Sequence, residues 1–378
     1  MIALWLWSPK GATIQQARYQ NTRHPFFCVR SAVRVRMTSS GWRLHGCLLV
    51  SMLVGCHKAP SDSSDSPIAY QAIYDGFDSA GVLEFVKNLT GYNPVTVDGQ
   101  TLSLTERFSI EGKAKWRSYF RQYFTALGLV VNAIDYESQH LVTGESQGHD
   151  LEAVLPGQSD DSVVIVVHYD SRGEALHNDE NPAVDDDMTG MATMFETARL
   201  LAPLADKLHH TIRFAAVDYE EWPWPYIEGS TQYVQYLTQL ATQQNFQIVA
   251  AIDDEQSGWN CFEHDACPSI TADTVDISSS SDDGTYAFPV LGSEAVAVAA
   301  AYSPLSVFEL PSHEHSSDHF SFWAAGIPAI QISEHLPFLN PHYDIKGGDT
   351  WDVLDQAYYL KISRLAVTVA AKIAGLDL

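Results

Sequence analysis

VVIVVHYDSRGEALHNDENPAVDDDMTGMATMFETARLLA, residues Val163 to Ala202, is the stretch that decides the fold. Its first five residues are apolar and mostly β-branched, the mark of a strand buried in a parallel sheet, and they end in His168-Tyr169-Asp170. Seventeen residues after His168, Asp185-Asp186-Asp187 opens a segment in which Met188, Met191, Met194, Phe195 and Leu200 recur at helical spacing, with Gly190 near its start. A histidine therefore sits at the carboxyl end of a strand and a carboxylate cluster at the amino end of the next helix. Ligands of open α/β sheets bind in that crevice. Three adjacent aspartates in a partly buried crevice repel one another unless a cation compensates them, and His with Asp is a donor set suited to zinc.

Working outward, the pattern of an apolar strand followed by carboxylates repeats. Thr211 to Val217 reads as a buried strand delivering Asp218-Tyr219-Glu220-Glu221, and Phe246 to Ile252 as another ending in Asp253-Asp254-Glu255. Helices are expected over Ala80–Asn88, Lys113–Leu127, Gly229–Leu240, Ser293–Tyr302, Phe320–Ala325 and Gln356–Ile373, with further strands at Leu129–Tyr136, Asp150–Leu155 and Ala329–Ile332. The fold class this spells out is α/β: a three-layer sandwich with a mixed, mostly parallel sheet flanked by helices.

The 378 residues carry 47 acidic against 22 basic side chains, a net charge of −25, and 46% are apolar, enough for a full core. Residues 1–55 hold seven of the basic residues and no acidic one, so the remainder keeps only 15 basic residues; this excludes nucleic acid as a natural partner. Met37 to Arg43, an apolar run from Leu44, and Leu53-Val54-Gly55-Cys56 have the layout of a bacterial lipoprotein signal cleaved before Cys56, which is then acylated. An uncleaved membrane anchor is the alternative, although the apolar run is short for a spanning helix. Residues 1–55 are thus read as the signal region, with Met37 as an alternative start, residues 56–76 as a flexible tether, and residues 77–378 as the folded domain. His57, following the cysteine, points to the outer membrane of a bacterial envelope, facing periplasm or exterior. Cys261 and Cys267 enclose a short loop, and a local disulfide is expected in an exported chain. Free thiols, or a zinc knuckle with His264, are the alternatives.

H-x-D, D-D-x-x-x-G, the Glu220-Glu221 pair and Ser317-Asp318-His319 together resemble the co-catalytic di-zinc aminopeptidase family of the bacterial leucyl type, which includes glutaminyl cyclases as a divergent branch. The resemblance runs from about Val82 to the carboxyl terminus. It implies a zinc-dependent exopeptidase that removes amino-terminal residues from peptides with a free amino terminus, using two zinc ions. It also makes His168 a metal ligand oriented by Asp170, Asp186 the carboxylate bridging both ions, Glu220 the general base and Glu221 a ligand of the second ion. The family's next ligand is an aspartate three residues before a glycine. Here Gly258 puts Glu255 in that place, with Asp253 and Asp254 as rivals. The final ligand departs from the pattern: Asn340-Pro341-His342-Tyr343-Asp344, followed by Asp349-Thr350-Trp351-Asp352, has aspartate where the family has histidine, and one extra residue. Both Asp344 and His342 are therefore candidates. Ser317 to Phe322 and Gly326 to Ala329 match the family as supporting residues. Trp222 to Tyr226 either wall a pocket for an apolar side chain or pack as a surface loop.

Two rivals stand beside the peptidase: a glutaminyl-peptide cyclotransferase with one zinc, and a non-catalytic surface lipoprotein of the same fold. The membrane partner common to these readings is reached through Cys56, so Cys56→Ser should leave the chain unlipidated, because the thioether to diacylglycerol forms on that sulfur. Detergent-phase partitioning that is unchanged by this substitution and by globomycin would refute the anchor.

Overall fold

Val163–Val167 forms the inner part of a longer strand lying between two parallel neighbours, which is why every one of its side chains is buried. The computed structural model describes residues 67–138, 146–172, 181–221, 227–267, 273–312, 316–343 and 347–378. The signal region, Cys56, Trp222 to Tyr226 and Asp344 lie outside the described residues. In chain order the elements are α1 (Pro67–Gly76), α2 (Ser79–Leu89), β1 (Val95–Val97), β2 (Gln100–Leu102), α3 (Ile110–Ala126), β3 (Val130–Glu137), β4 (Gln147–Leu155), β5 (Ser159–His168), α4 (Met188–Leu201), β6 (His210–Val217) and α5 (Glu228–Gln244). They continue with β7 (Ile248–Glu255), β8 (Thr274–Ser278), α6 (Pro289–Tyr302), β9 (Ser306–Glu309), α7 (His319–Ala324), β10 (Ala329–Glu334) and α8 (Gln356–Ile373).

Eight strands form the main sheet in the order β3-β4-β6-β5-β7-β10-β8-β9, and β1 pairs with β2 separately. The four central strands, β6, β5, β7 and β10, are mutually parallel, while β3, β4 and β8 join antiparallel to their inner neighbours. Parallel strands all carry their carboxyl ends to one edge, so His168, Val217, Glu255 and Glu334 arrive side by side. One face of the sheet packs the apolar sides of α1 to α4, α6 and α8; the other packs α5 and α7. This is the mixed, mostly parallel three-layer arrangement expected from the sequence.

Three departures from the sequence reading have simple causes. The segment expected to remain tether up to residue 76 contains α1, because Tyr70, Ile73 and Phe77 fall on one buried face and the Tyr70 hydroxyl donates to the Leu376 carbonyl at 3.1 Å. β8 hides its strand character behind Asp276 in mid-run, a charge tolerated there because His335 faces it. β9 is mostly exposed and so lacks an apolar run.

Helix α4 is placed by its first turn. Asp187 caps it, accepting a hydrogen bond from the Gly190 amide at 3.0 Å. A Cβ on Gly190 would stand 1.9 Å from the Asp254 carbonyl oxygen, so only glycine lets the helix come down onto β7. Farther along, the Tyr359 hydroxyl donates to the Thr189 carbonyl at 2.9 Å, and Thr193 and Ser363 are bonded at 2.8 Å, tying α4 to α8. The aspartates preceding α4 are thereby fixed above the strand ends.

Candidate metal centre

His168 closes β5 with its ring fully buried. Its Nε2 lies 2.9 Å from Asp186 Oδ1 and 3.7 Å from Glu255 Oε1, while Nδ1 lies 3.2 Å from the Asp170 carbonyl oxygen and 3.5 Å from its carboxylate. One donor atom each from His168, Asp186 and Glu255 falls within 4.8 Å of the others, and all three residues are buried. The nitrogen facing Asp170 is the one an oriented metal-binding histidine uses for support, which leaves Nε2 directed at the carboxylates.

The structure separates the three consecutive acids of β7. Strand alternation turns Asp253 to the α7 side, where it accepts from His319 Nδ1 at 2.9 Å and from the His319 amide at 3.1 Å. Asp254 turns to the α4 side and accepts from Ser257 Oγ at 2.8 Å. Glu255, the last residue of the strand, reaches the His168 and Asp186 group, its other oxygen held by Ser317 Oγ at 2.7 Å. His319 is occupied on both sides, since its Nε2 also meets Ser312 Oγ at 3.0 Å.

Glu220 and Glu221 follow β6 after a turn in which Tyr219 takes φ of 55°. That left-handed conformation costs about 1–3 kcal/mol in a residue with a Cβ and is held by Lys113, whose ammonium sits 3.6 Å from the Tyr219 ring centroid and 2.6 Å from Asp218 Oδ1. Beyond the turn, the Asp170 carboxylate accepts from the Glu220 amide at 3.1 Å and the Glu221 amide at 3.2 Å, one oxygen for each. Asp170 thus positions both the histidine and the glutamate pair. Glu221 Oε1 in turn accepts from the Arg172 amide at 2.9 Å.

Asp185 accepts from the Gly258 amide at 2.6 Å and from Asn340 Nδ2 at 3.0 Å. Below it, buried Asp349 accepts from the backbone amides of both Asp185 (2.8 Å) and Asp186 (3.0 Å). His342 is not gathered with His168, Asp186 and Glu255: its amide bonds Asn340 Oδ1 at 2.9 Å, and its side chain helps line a separate cavity of about 530 Å³ with Asn260, His264 and Asp352. The other candidate for the last position, Asp344, falls outside the described residues.

Electrostatics supply the test of whether a cation belongs here. Burial raises the carboxyls of Asp186, Asp187, Glu220 and Asp349 above the ordinary range, with neighbouring carboxylates adding to it. Burial likewise pushes Asp185 up to about 7. Asp187 Oδ2 is buried and without a hydrogen-bond partner among the described residues. Lys113 favours the charged form of Asp170, but neither buried cation is hydrogen-bonded to Asp186 or Glu255. Arg107 is spent on the carbonyls of Tyr169, Pro182 and Ala183, at 2.9, 2.8 and 3.2 Å, and burial brings its own pKa down to about 10. A nitrogen and two carboxylate donors converging in a buried, acid-rich crevice fit a divalent ion of the zinc type.

Sequence reasoning left Arg107, Lys113 and Asp349 without a role. Asp349 stood in a recognised motif but its partners are backbone amides, which no side-chain pattern advertises. Arg107 and Lys113 are isolated cations far from the strand ends in sequence. Asp349→Ala would strand two buried amides at about 1–3 kcal/mol each and release the Asp185-Asp186 backbone. Zinc affinity, read by competitive chelator titration, should fall about 10–100-fold; an unchanged affinity would show that Asp349 does not hold the donors in place.

A profile of Peptidase family M28 matches residues 150–370, which spans all the donors described above. Compared with curated proteins, the sequence finds no significant match. Among solved structures, the fold is similar to the Legionella pneumophila LapA aminopeptidase, with 19% identity over 85% of this chain and 79% of that one and a TM-score of 0.61. It is similar also to the Macrostomum lignano glutaminyl cyclase, with 14% identity over 84% and 95% and a TM-score of 0.62. A third is the aminopeptidase from Aneurinibacillus sp. strain AM-1, with 14% identity over 82% and 97% and a TM-score of 0.59. At these identities the likeness is one of fold. With more than half of its length matched by the family's own profile, the chain belongs to Peptidase family M28.

Proposed function

We propose that the chain is a zinc-dependent aminopeptidase. The observation that carries this reading is the convergence of His168, Asp186 and Glu255 donors beside a glutamate pair whose backbone is clamped by Asp170. His168, Asp186 and Glu255 would hold one ion. Asp186 and Glu221, with Asp344, are the candidates for a second, since His342 is not gathered with Asp186. Zinc held there would supply Lewis acidity toward a scissile carbonyl and toward the hydrolytic water.

The protein's own residues do the rest. Glu220, fixed in place through its amide, takes the proton from the attacking water and returns it to the departing amine. Asp170 keeps the His168 ring in the orientation that directs Nε2 at the Asp186 and Glu255 carboxylates. Carboxylates in excess over buried cations attract the α-ammonium of a substrate and so favour cleavage at an amino terminus. On the same grounds as the signal reading, we propose that the enzyme works in the bacterial envelope, anchored through Cys56.

Glutaminyl cyclisation is the second reading, supported by glutaminyl cyclases among the fold neighbours and by the single three-donor His, Asp and Glu group among the described residues. Hydrolysis of aminoacyl anilides against cyclisation of glutaminyl peptides, with metal content measured on the same sample, distinguishes the two readings and the non-catalytic lipoprotein as well. Glu220→Gln keeps shape and reach but cannot accept a proton, so kcat should drop about 10² to 10⁴-fold with metal content unaltered. Turnover within a few-fold of wild type would remove Glu220 from the role of base.

A further inference from the structure

The loop that follows β7 carries a second set of convergent donors, separate from the peptidase crevice. Cys261 and Cys267 are joined as a disulfide, their Cα atoms 5.4 Å apart. A ring nitrogen of His335 and the two sulfurs all lie within 4.8 Å of one another. His335 is 2% exposed, and its Nδ1 is held by Asp276 Oδ1 at 2.5 Å. Its Nε2 is buried and has no hydrogen-bond partner among the described residues. A buried imidazole nitrogen left unbonded costs about 1–3 kcal/mol, and an imidazole whose other nitrogen rests on a carboxylate is the arrangement that metal-binding histidines adopt. His264, the residue that sequence spacing offered as a partner to these cysteines, is engaged elsewhere, stacked on Trp259 with ring centroids 5.1 Å apart.

We propose that Cys261, Cys267 and His335 form a redox-gated site for a thiophilic divalent ion such as zinc. The disulfide is the closed, metal-free form. A dithiol reductant delivers two electrons and two protons to the Sγ–Sγ bond and closes to its own disulfide, leaving two thiols on the protein. The ion then displaces both thiol protons and takes His335 Nε2 as its third protein donor. Two sulfurs and one imidazole form a set suited to zinc, with a fourth position left for water or another ligand. Asp276 holds the imidazole in the tautomer that presents Nε2, and its other oxygen accepts from the Leu336 amide at 3.0 Å, so the support is itself fixed.

The site matters to its neighbourhood through the backbone. Just before the loop, the Gly258 amide supports Asp185, and the Trp259 amide bonds the Glu334 carboxylate at the end of β10. Either cross-link, sulfur to sulfur or sulfur through metal, keeps this segment anchored when the redox environment changes.

Cobalt is the probe. The full chain, with its peptidase crevice first saturated with zinc, is reduced with dithiothreitol, desalted without oxygen and titrated with Co²⁺. The proposal expects a thiolate-to-cobalt charge-transfer band and a further bound ion in the reduced chain, and neither in the oxidised chain. In His335→Gln the thiols still titrate with Ellman's reagent, but cobalt affinity falls by about tenfold or more. Reduced chain alkylated at both cysteines is the control that needs no new fold, and it should show no band. Absence of the band in the reduced wild type, or an undiminished affinity in His335→Gln, overturns the proposal.

Discussion

The structure depends on how a buried, acidic strand edge is made tolerable. Four parallel strands end together, and each end or the turn beyond it delivers carboxylates to one crevice: Asp170, Glu220 and Glu221, Glu255, and Glu334. An isolated buried carboxylate costs several kcal/mol in lost hydration. Backbone amides meet part of that cost. Asp170 takes those of Glu220 and Glu221, Asp349 those of Asp185 and Asp186, and Asp185 that of Gly258. What amides cannot neutralise is left for a cation. The same amide bonds that lessen the repulsion also fix the donors, so charge compensation and ligand positioning are one arrangement.

Around this crevice the buried cations act as struts. Lys113 bridges α3 to the turn after β6, with burial opposing its charge and Asp218 and Asp170 outweighing that, so that its pKa ends above the ordinary value. Removing one partner of such a buried pair costs about 3–5 kcal/mol. Arg107 performs the same service for the segment between β5 and α4 through carbonyl oxygens. Lys113 favours the charged form of Asp170, the acid that clamps the glutamate pair, but neither cation is hydrogen-bonded to Asp186 or Glu255.

Much of this was legible in the sequence because the periodicities were uncorrupted. The run Val163–Val167, the helix after Asp187 and the strand before Asp218 read directly from their apolar spacing, whereas the close approach of Gly190 to the Asp254 carbonyl is seen only in the fold. Choosing Glu255 over Asp253 and Asp254 rested on a spacing; the structure adds that strand alternation commits the other two to His319 and Ser257. Helix α1 was obscured by the polar, tether-like residues before it, and β8 by a buried aspartate. Contacts between side chains and distant backbone, such as those of Asp349 and Arg107, and the approach of His335 to the two cysteines, depend on three-dimensional closure that no local pattern encodes.

The central claim is that the crevice is built around a metal ion held by His168, Asp186 and Glu255. Diffraction data collected on either side of the zinc absorption edge, from crystals of the full chain grown with zinc, address it directly. The account predicts an anomalous peak within bonding distance of His168 Nε2 and of one oxygen each from Asp186 and Glu255. Crystals whose anomalous map is empty at that point, with the three side chains ordered, would contradict it.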